Sequence, residues 1–169
     1  MRKTNFIKFI DSLSDEELRE EMDKLFTKYK SIKEYYTMEL GSDDDRKKLL
    51  DKAKNGISKL YEKFRTRSRL TKVNTILKDI SSISIFDHEL ADVYITHVEV
   101  ATNHLNYFGW ARDADYNHLE KSFFKAVDLV TSSQSQDQFD GRLKDVLKKL
   151  QKYTYFVDEL EIYYDDNLV

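Results

Sequence analysis

Three sets of side chains in this chain have the types and spacing to do chemistry. The first is basic. Residues 46–78 hold twelve Lys and Arg against two Asp and Glu, although the 169-residue chain as a whole carries a net charge of −3. Within that stretch Arg65, Arg67 and Arg69 alternate, flanked by Lys59, Lys63 and Lys72. Guanidinium forks match the geometry of phosphate and carboxylate. These six residues are therefore the candidate surface for an acidic or phosphate-bearing partner, nucleic acid included. The simpler alternative is that the basic stretch lies against the protein's own acidic ends. Those ends hold twelve Asp and Glu against eight Lys and Arg over residues 1–45, and seventeen against eight over residues 79–169. There is no RNA- or DNA-binding signature motif, and a sequence pI near 5.8 speaks against a dedicated nucleic-acid binder.

The second set is histidine: His88, His97, His104 and His118. On a helix His97 and His104 share a face with Leu90, Ala101 and Phe108, but seven residues separate them, about 10.5 Å along the axis. One metal ion, whose His ligands lie near 2 Å, cannot bridge that gap. His97 reads first as a hydrogen-bonded core histidine. With Tyr94 beside it, it is also the best marker of a small-molecule pocket. The third set is the acidic tail, where Asp158, Glu159, Glu161, Asp165 and Asp166 follow Thr154 with no Lys or Arg among them. Such a cluster suits a divalent cation, but a solvated face or a partner for the basic segment is the plainer expectation.

Other chemistry is excluded by composition. There is no Cys, so thiolate zinc sites, cysteine nucleophiles and disulfides are absent. Four scattered glycines cannot build a phosphate-cradling loop, and no Gly-x-Ser-x-Gly occurs. No catalytic residue, metal or cofactor is expected. The N-terminus lacks a signal-peptide core, because Lys8 and Asp11 interrupt its apolar residues, and no run of apolar residues is long enough for a membrane helix. A cytoplasmic protein is the expectation.

The elements that would position these groups are helices. The chain has no proline and only four glycines, so little in it breaks a helix. Ser14-Asp-Glu-Glu17 is a capping box that opens one helix. From Leu18 through Met22, Leu25, Tyr29 and Ile32 to Tyr36 the apolar spacing is heptad-like, which predicts one helix running to about Leu40, ended by Gly41 in the left-handed conformation. A second heptad seam, from Phe139 through Leu143, Val146, Leu150, Tyr153, Val157 and Leu160 to Tyr164, predicts one helix over about 137–164. The two seams are expected to face each other at a shallow angle. Between them, helices are expected over about 44–64, 71–80, 88–108 and 113–130, and the broad apolar band of the 88–108 helix makes it the central one. A short helix over about 5–13 comes first.

Several segments, in order, carry a family resemblance: Leu18 behind its acidic first turn, Tyr29-Lys-Ser-Ile-Lys-Glu-Tyr-Tyr36, the Arg65–Arg69 connector, Tyr94-Ile-Thr-His-Val-Glu99, Tyr107-Phe-Gly109 and Asp158-Glu-Leu-Glu-Ile-Tyr-Tyr164. Over nearly its whole length the chain resembles an uncharacterised bacterial family of single-domain helical proteins. That resemblance implies an all-α structure and brings no activity, cofactor or partner.

The sequence thus predicts an all-α single domain over residues 1–169, a bundle of six to seven helices with two long heptad-patterned members. Its function is expected to be non-enzymatic interaction with an unknown protein partner, through a helical face or the basic connector. Nucleic-acid or polyphosphate binding by the connector is the runner-up, and a small-molecule pocket at Tyr94 and His97 the third reading. A homodimer fits the same patterns; a membrane partner does not.

Overall fold

A computed structural model of the chain describes residues 2–62 and 69–168, and the described residues form nine α-helices and no strand. They are α1 (Lys3–Asp11), α2 (Asp15–Lys28), α3 (Lys30–Leu40), α4 (Asp43–Glu62), α5 (Arg69–Ile83), α6 (Asp87–Phe108), α7 (Asp113–Ser132), α8 (Gln136–Leu150) and α9 (Thr154–Leu168). The all-helical expectation holds, but six to seven helices become nine because each heptad seam is broken.

The first break is at Tyr29, whose backbone is extended (φ −113°, ψ 112°). Its N–H closes α2 on the Leu25 carbonyl, and its own carbonyl accepts from Ile32 and Lys33 to open α3. A continuous seam helix is stable only if something faces the seam. Here α2 buries none of its residues and lies against α3, not against the C-terminal helices.

The second break, at residues 151–153, has a visible cause. In an unbroken helix the Lys149 carbonyl would accept from the Tyr153 N–H. Instead Asn106 of α6 donates its side-chain amide to Lys149 O at 3.0 Å, while Tyr153 N–H turns to Leu150 O at 2.8 Å. The Tyr153 hydroxyl then donates to Leu105 O of α6 at 3.1 Å, which fixes the corner. As a result α8 lies on α6 and α9 on α7, and the expected pairing of the two seams does not form.

The centre of the bundle is α6, as its broad apolar band requires. It touches α4, α5, α7 and α8, and it buries Leu90, Ala91, Val93, Ile95, Val98, Ala101 and Leu105. Phe123 of α7, Phe139 and Leu143 of α8 and Leu160 of α9 are among the fully enclosed side chains that fill the space around it. Each such residue contributes about 1.5–3 kcal/mol of burial. Charges then pin the outer helices to α6. Asp92 takes Lys54 of α4 at 2.8 Å and also Arg142 of α8, and Arg142 reaches Glu99 at 2.7 Å. Arg46 of α4 pairs with Glu89 at 3.1 Å.

The left-handed conformation expected of Gly41 occurs at a different glycine. Gly109 takes the left-handed conformation (φ 73°) at the end of α6. Gly41 does not: its φ is −72° and ψ 163°. Glycine is needed there for space, since a Cβ would run into the Thr37 carbonyl.

Ser14 caps α2 as expected. Its hydroxyl accepts from Glu17 N–H at 3.3 Å, and the Glu17 carboxylate accepts from Ser14 N–H at 2.8 Å. Replacing Ser14 with Ala removes about 1 kcal/mol from this helix. Because α2 buries nothing, the loss stays local. Amide exchange in α2 should quicken about fivefold while the global unfolding midpoint moves little; a global shift matching the full 1 kcal/mol would mean that α2 unfolds with the core.

Candidate functional site

Where α4, α5, α6 and α7 meet, the core is polar. Tyr61, in the last turn of α4, points at α6, and its hydroxyl lies 2.8 Å from His97 Nε2. His97 is fully buried, on the same face of α6 as Val93, Ala101 and His104. Its other ring nitrogen, Nδ1, has no hydrogen-bond partner. Burial, helped by the charges of His118 and Arg69, pushes the His97 pKa down to about 3, so the ring is neutral at neutral pH. Burial likewise pushes the Tyr61 hydroxyl well above its ordinary range.

Arg69, the first residue of α5, is also buried. Its guanidinium lies 4.7 Å over the Tyr61 ring. One terminal nitrogen donates to Asp115 Oδ1 at 2.6 Å and the other lies 2.8 Å from His104 Nε2, which accepts as a neutral ring. Burial lowers the His104 pKa, and the Arg69 charge lowers it further. Asp115 is held from the other side by Arg112, whose Nε donates at 2.9 Å. Burial opposes the Asp115 carboxylate, but hydrogen bonds and charge from Arg112 and Arg69 outweigh it and keep its pKa below the ordinary value.

The network reaches the surface at His118 of α7. The His118 ring meets His97 edge-on, 4.8 Å between centroids, and its Nε2 donates to Asn74 Oδ1 of α5 at 2.6 Å. Burial lowers its pKa, and the Arg69 and Lys121 charges add to this against Asp115. Outside His118 lies a cleft of about 550 Å³ between α5 and α7, which Tyr94 of α6 also lines. The Tyr94 hydroxyl is 3.3 Å from that of Ser81.

The candidates from sequence are thereby separated. Tyr94 lines the cleft, whereas His97 stands behind it and meets it through His118. Arg69 turns inward and spends its charge on Asp115 of α7, so its anionic partner is not the acidic tail. Lys59 and Lys72 are exposed, Lys59 on a different groove. Lys63, Arg65 and Arg67 lie outside the described residues. Other basic side chains of the segment are also paired: Lys52 with Glu34 at 2.9 Å and Lys48 with Asp45 at 3.2 Å, beside the links of Arg46 and Lys54 to α6. His97 and His104, too far apart for one metal, are joined instead through Tyr61 and Arg69. The sequence gives little warning of the roles of Tyr61, Asn74 and Asp115, since each sits at ordinary helical spacing and gains its partner only across the bundle. Among the described residues no three His, Asp or Glu side chains converge on a metal position.

Fold and site together define an all-α bundle protein with a His–Tyr–Arg–Asp network inside it. The chain belongs to a family of unknown function, DUF6155, whose model matches residues 1–166. No curated protein and no solved structure matches the chain. Among the described residues no helix is long and apolar enough to cross a membrane.

Proposed function

We propose that this chain is a non-enzymatic interaction protein that holds an amphipathic helix of a protein partner, apolar on one face and acidic on the other. The observation that carries the reading is a groove of about 760 Å³ between α3, α4 and α5. Its floor is apolar, from Leu49, Ala53, Ile76 and Ile83, and its rim carries Lys30, Lys52 and Lys59 together with Glu34 and Asp79, Lys30 and Lys52 both being paired with Glu34. Helix-in-groove recognition needs such a floor, and Lys59, in no ion pair among the described residues, favours an acidic flank on the ligand. Exposed apolar side chains on α1 and on α2, which packs on α3, support an interaction role. Phe6, Ile7 and Phe9 of α1 and Met22 and Phe26 of α2 are each 38–46% exposed.

Nucleic-acid binding is less well supported, because Arg69 is committed to a carboxylate and several neighbouring basic side chains are already paired. Fluorescence anisotropy against three labelled probes tests the proposal: an acidic amphipathic peptide, its scrambled form, and a single-stranded oligonucleotide. The acidic peptide should bind, the scrambled one should not, and Lys52→Glu with Lys59→Glu should weaken binding at least tenfold. Steeply salt-dependent oligonucleotide binding with no peptide binding would replace this reading with the nucleic-acid one. A concentration-dependent dimer in light scattering that blocks the groove would make a second copy the occupant.

A further inference from the structure

Phosphate chemistry has a better location than the arginine connector. The cleft outside His118 draws Lys78 from α5 and Lys121 and Lys125 from α7, the latter two one turn apart on one face. No carboxylate is among the described residues that line it. Among the described residues, none of the three lysines is in an ion pair or a hydrogen bond, in contrast to Lys48, Lys52 and Lys54 of α4. Lys121 also feels the Glu120 carboxylate, but no carboxylate among the described residues lines the cleft, so three cations around one concavity favour an anion between them. The rest of the lining supplies what a phosphate needs beyond charge. Ser122 brings a hydroxyl donor, and the Ser81–Tyr94 hydroxyl pair leaves one further O–H to give, whereas Ser82 donates its own to Asp79 O. Ser122 is itself buried at the base of α7's inner face. Leu77 gives the cleft an apolar wall. At about 550 Å³ the space exceeds what a bare ion fills and falls in the range of small-molecule sites.

We infer that the cleft between α5 and α7 binds a small organic phosphate, with Lys78, Lys121 and Lys125 neutralising the phosphoryl group and the apolar wall receiving the organic part. The site shares only Ser82 with the partner groove, and because no lysine is common to the two, its failure would leave that reading untouched.

Calorimetric titration of the full chain with phenyl phosphate, inorganic phosphate and phenol at low salt provides the test. Phenyl phosphate should bind, inorganic phosphate more weakly and phenol not measurably. Lys121→Gln with Lys125→Gln should weaken phenyl phosphate binding at least tenfold, while Lys72→Gln, an exposed lysine of α5 outside the cleft, should leave it unchanged. All these lysines are on the surface, so the variants fold. Absence of binding by phenyl phosphate, equal weakening by Lys72→Gln, or full affinity in the Lys121 and Lys125 double variant would overturn the site. Inorganic phosphate binding as tightly as phenyl phosphate would overturn the organic ligand.

Discussion

Replacing Asp115 with Ala should destabilise the protein by about 3–5 kcal/mol, the range for removing one partner of a buried ion pair. The Arg69 side chain is 8% exposed and that of Asp115 13%. Without Asp115 the guanidinium keeps its charge, because arginine does not deprotonate. It is left with His104 and the Tyr61 ring, and its Nε already lacks a partner. At this chain length the loss corresponds to a melting point lower by roughly 10 °C. The cost belongs to the uncompensated charge more than to the lost attraction. Replacing Arg69 with Met in the same chain should therefore return part of the stability, making the double variant more stable than Asp115→Ala alone. Arg112, half exposed on the outer side of Asp115, should cost less than about 1 kcal/mol when changed to Gln. Urea unfolding of these four proteins is the measurement. A loss under 1 kcal/mol for Asp115→Ala, or a double variant less stable than the single one, would contradict the buried pair.

The second large effect is acid sensitivity. Unfolded, His97 takes up its proton near pH 6.5; folded, burial delays this until about pH 3. Between those values the unfolded state binds more protons than the native one, so stability falls as pH falls, by up to about 1.4 kcal/mol per pH unit from His97 alone. At pH 5 that amounts to roughly 2 kcal/mol. His104 and His118, whose pKa values are also lowered by burial first, add loss of the same sign. The lowered carboxylates Asp92 and Asp115 lose their contribution only as pH drops through their own range, beneath about 4. In the window from pH 6.5 to 4.5 the histidines therefore dominate, with Glu17 and Glu34, whose pKa values are also lowered, adding loss of the same sign only near its lower end. His97→Leu by itself would strand the Tyr61 hydroxyl, so the informative comparison is Tyr61→Phe against Tyr61→Phe with His97→Leu. The second should show a pH slope shallower by about 1.4 kcal/mol per unit in that window. Equal slopes would place the acid sensitivity elsewhere.

The helix inventory was largely legible because its causes are local. Absent proline, sparse glycine, the Ser14–Glu17 capping box and the broad apolar band of α6 act within a few residues, and they place most helix ends to within a few positions. The seams misled because a heptad pattern states which side chains want company without stating where the company is. The seam from Leu18 to Tyr36 is the clearest case: it has no long apolar face opposite it, and the chain turns at Tyr29. The seam from Phe139 to Tyr164 finds two hosts, α6 and α7, and is cut where Asn106 takes the carbonyl that would have continued the helix.

For the sites, the division is the same. Residue types and charge layout alone established a basic stretch inside an acidic chain, a histidine on the central helix worth watching, and the absence of thiol chemistry. Only the tertiary structure decided that Arg69 faces inward to Asp115, that His97 lies behind His118 and not in a cleft, and that Lys78, Lys121 and Lys125 gather around one cleft. The physical reason is range. Helix signals act over one or two turns, whereas an ion pair between residues 69 and 115, or a cleft shared by α5 and α7, depends on where whole helices settle to bury their apolar faces.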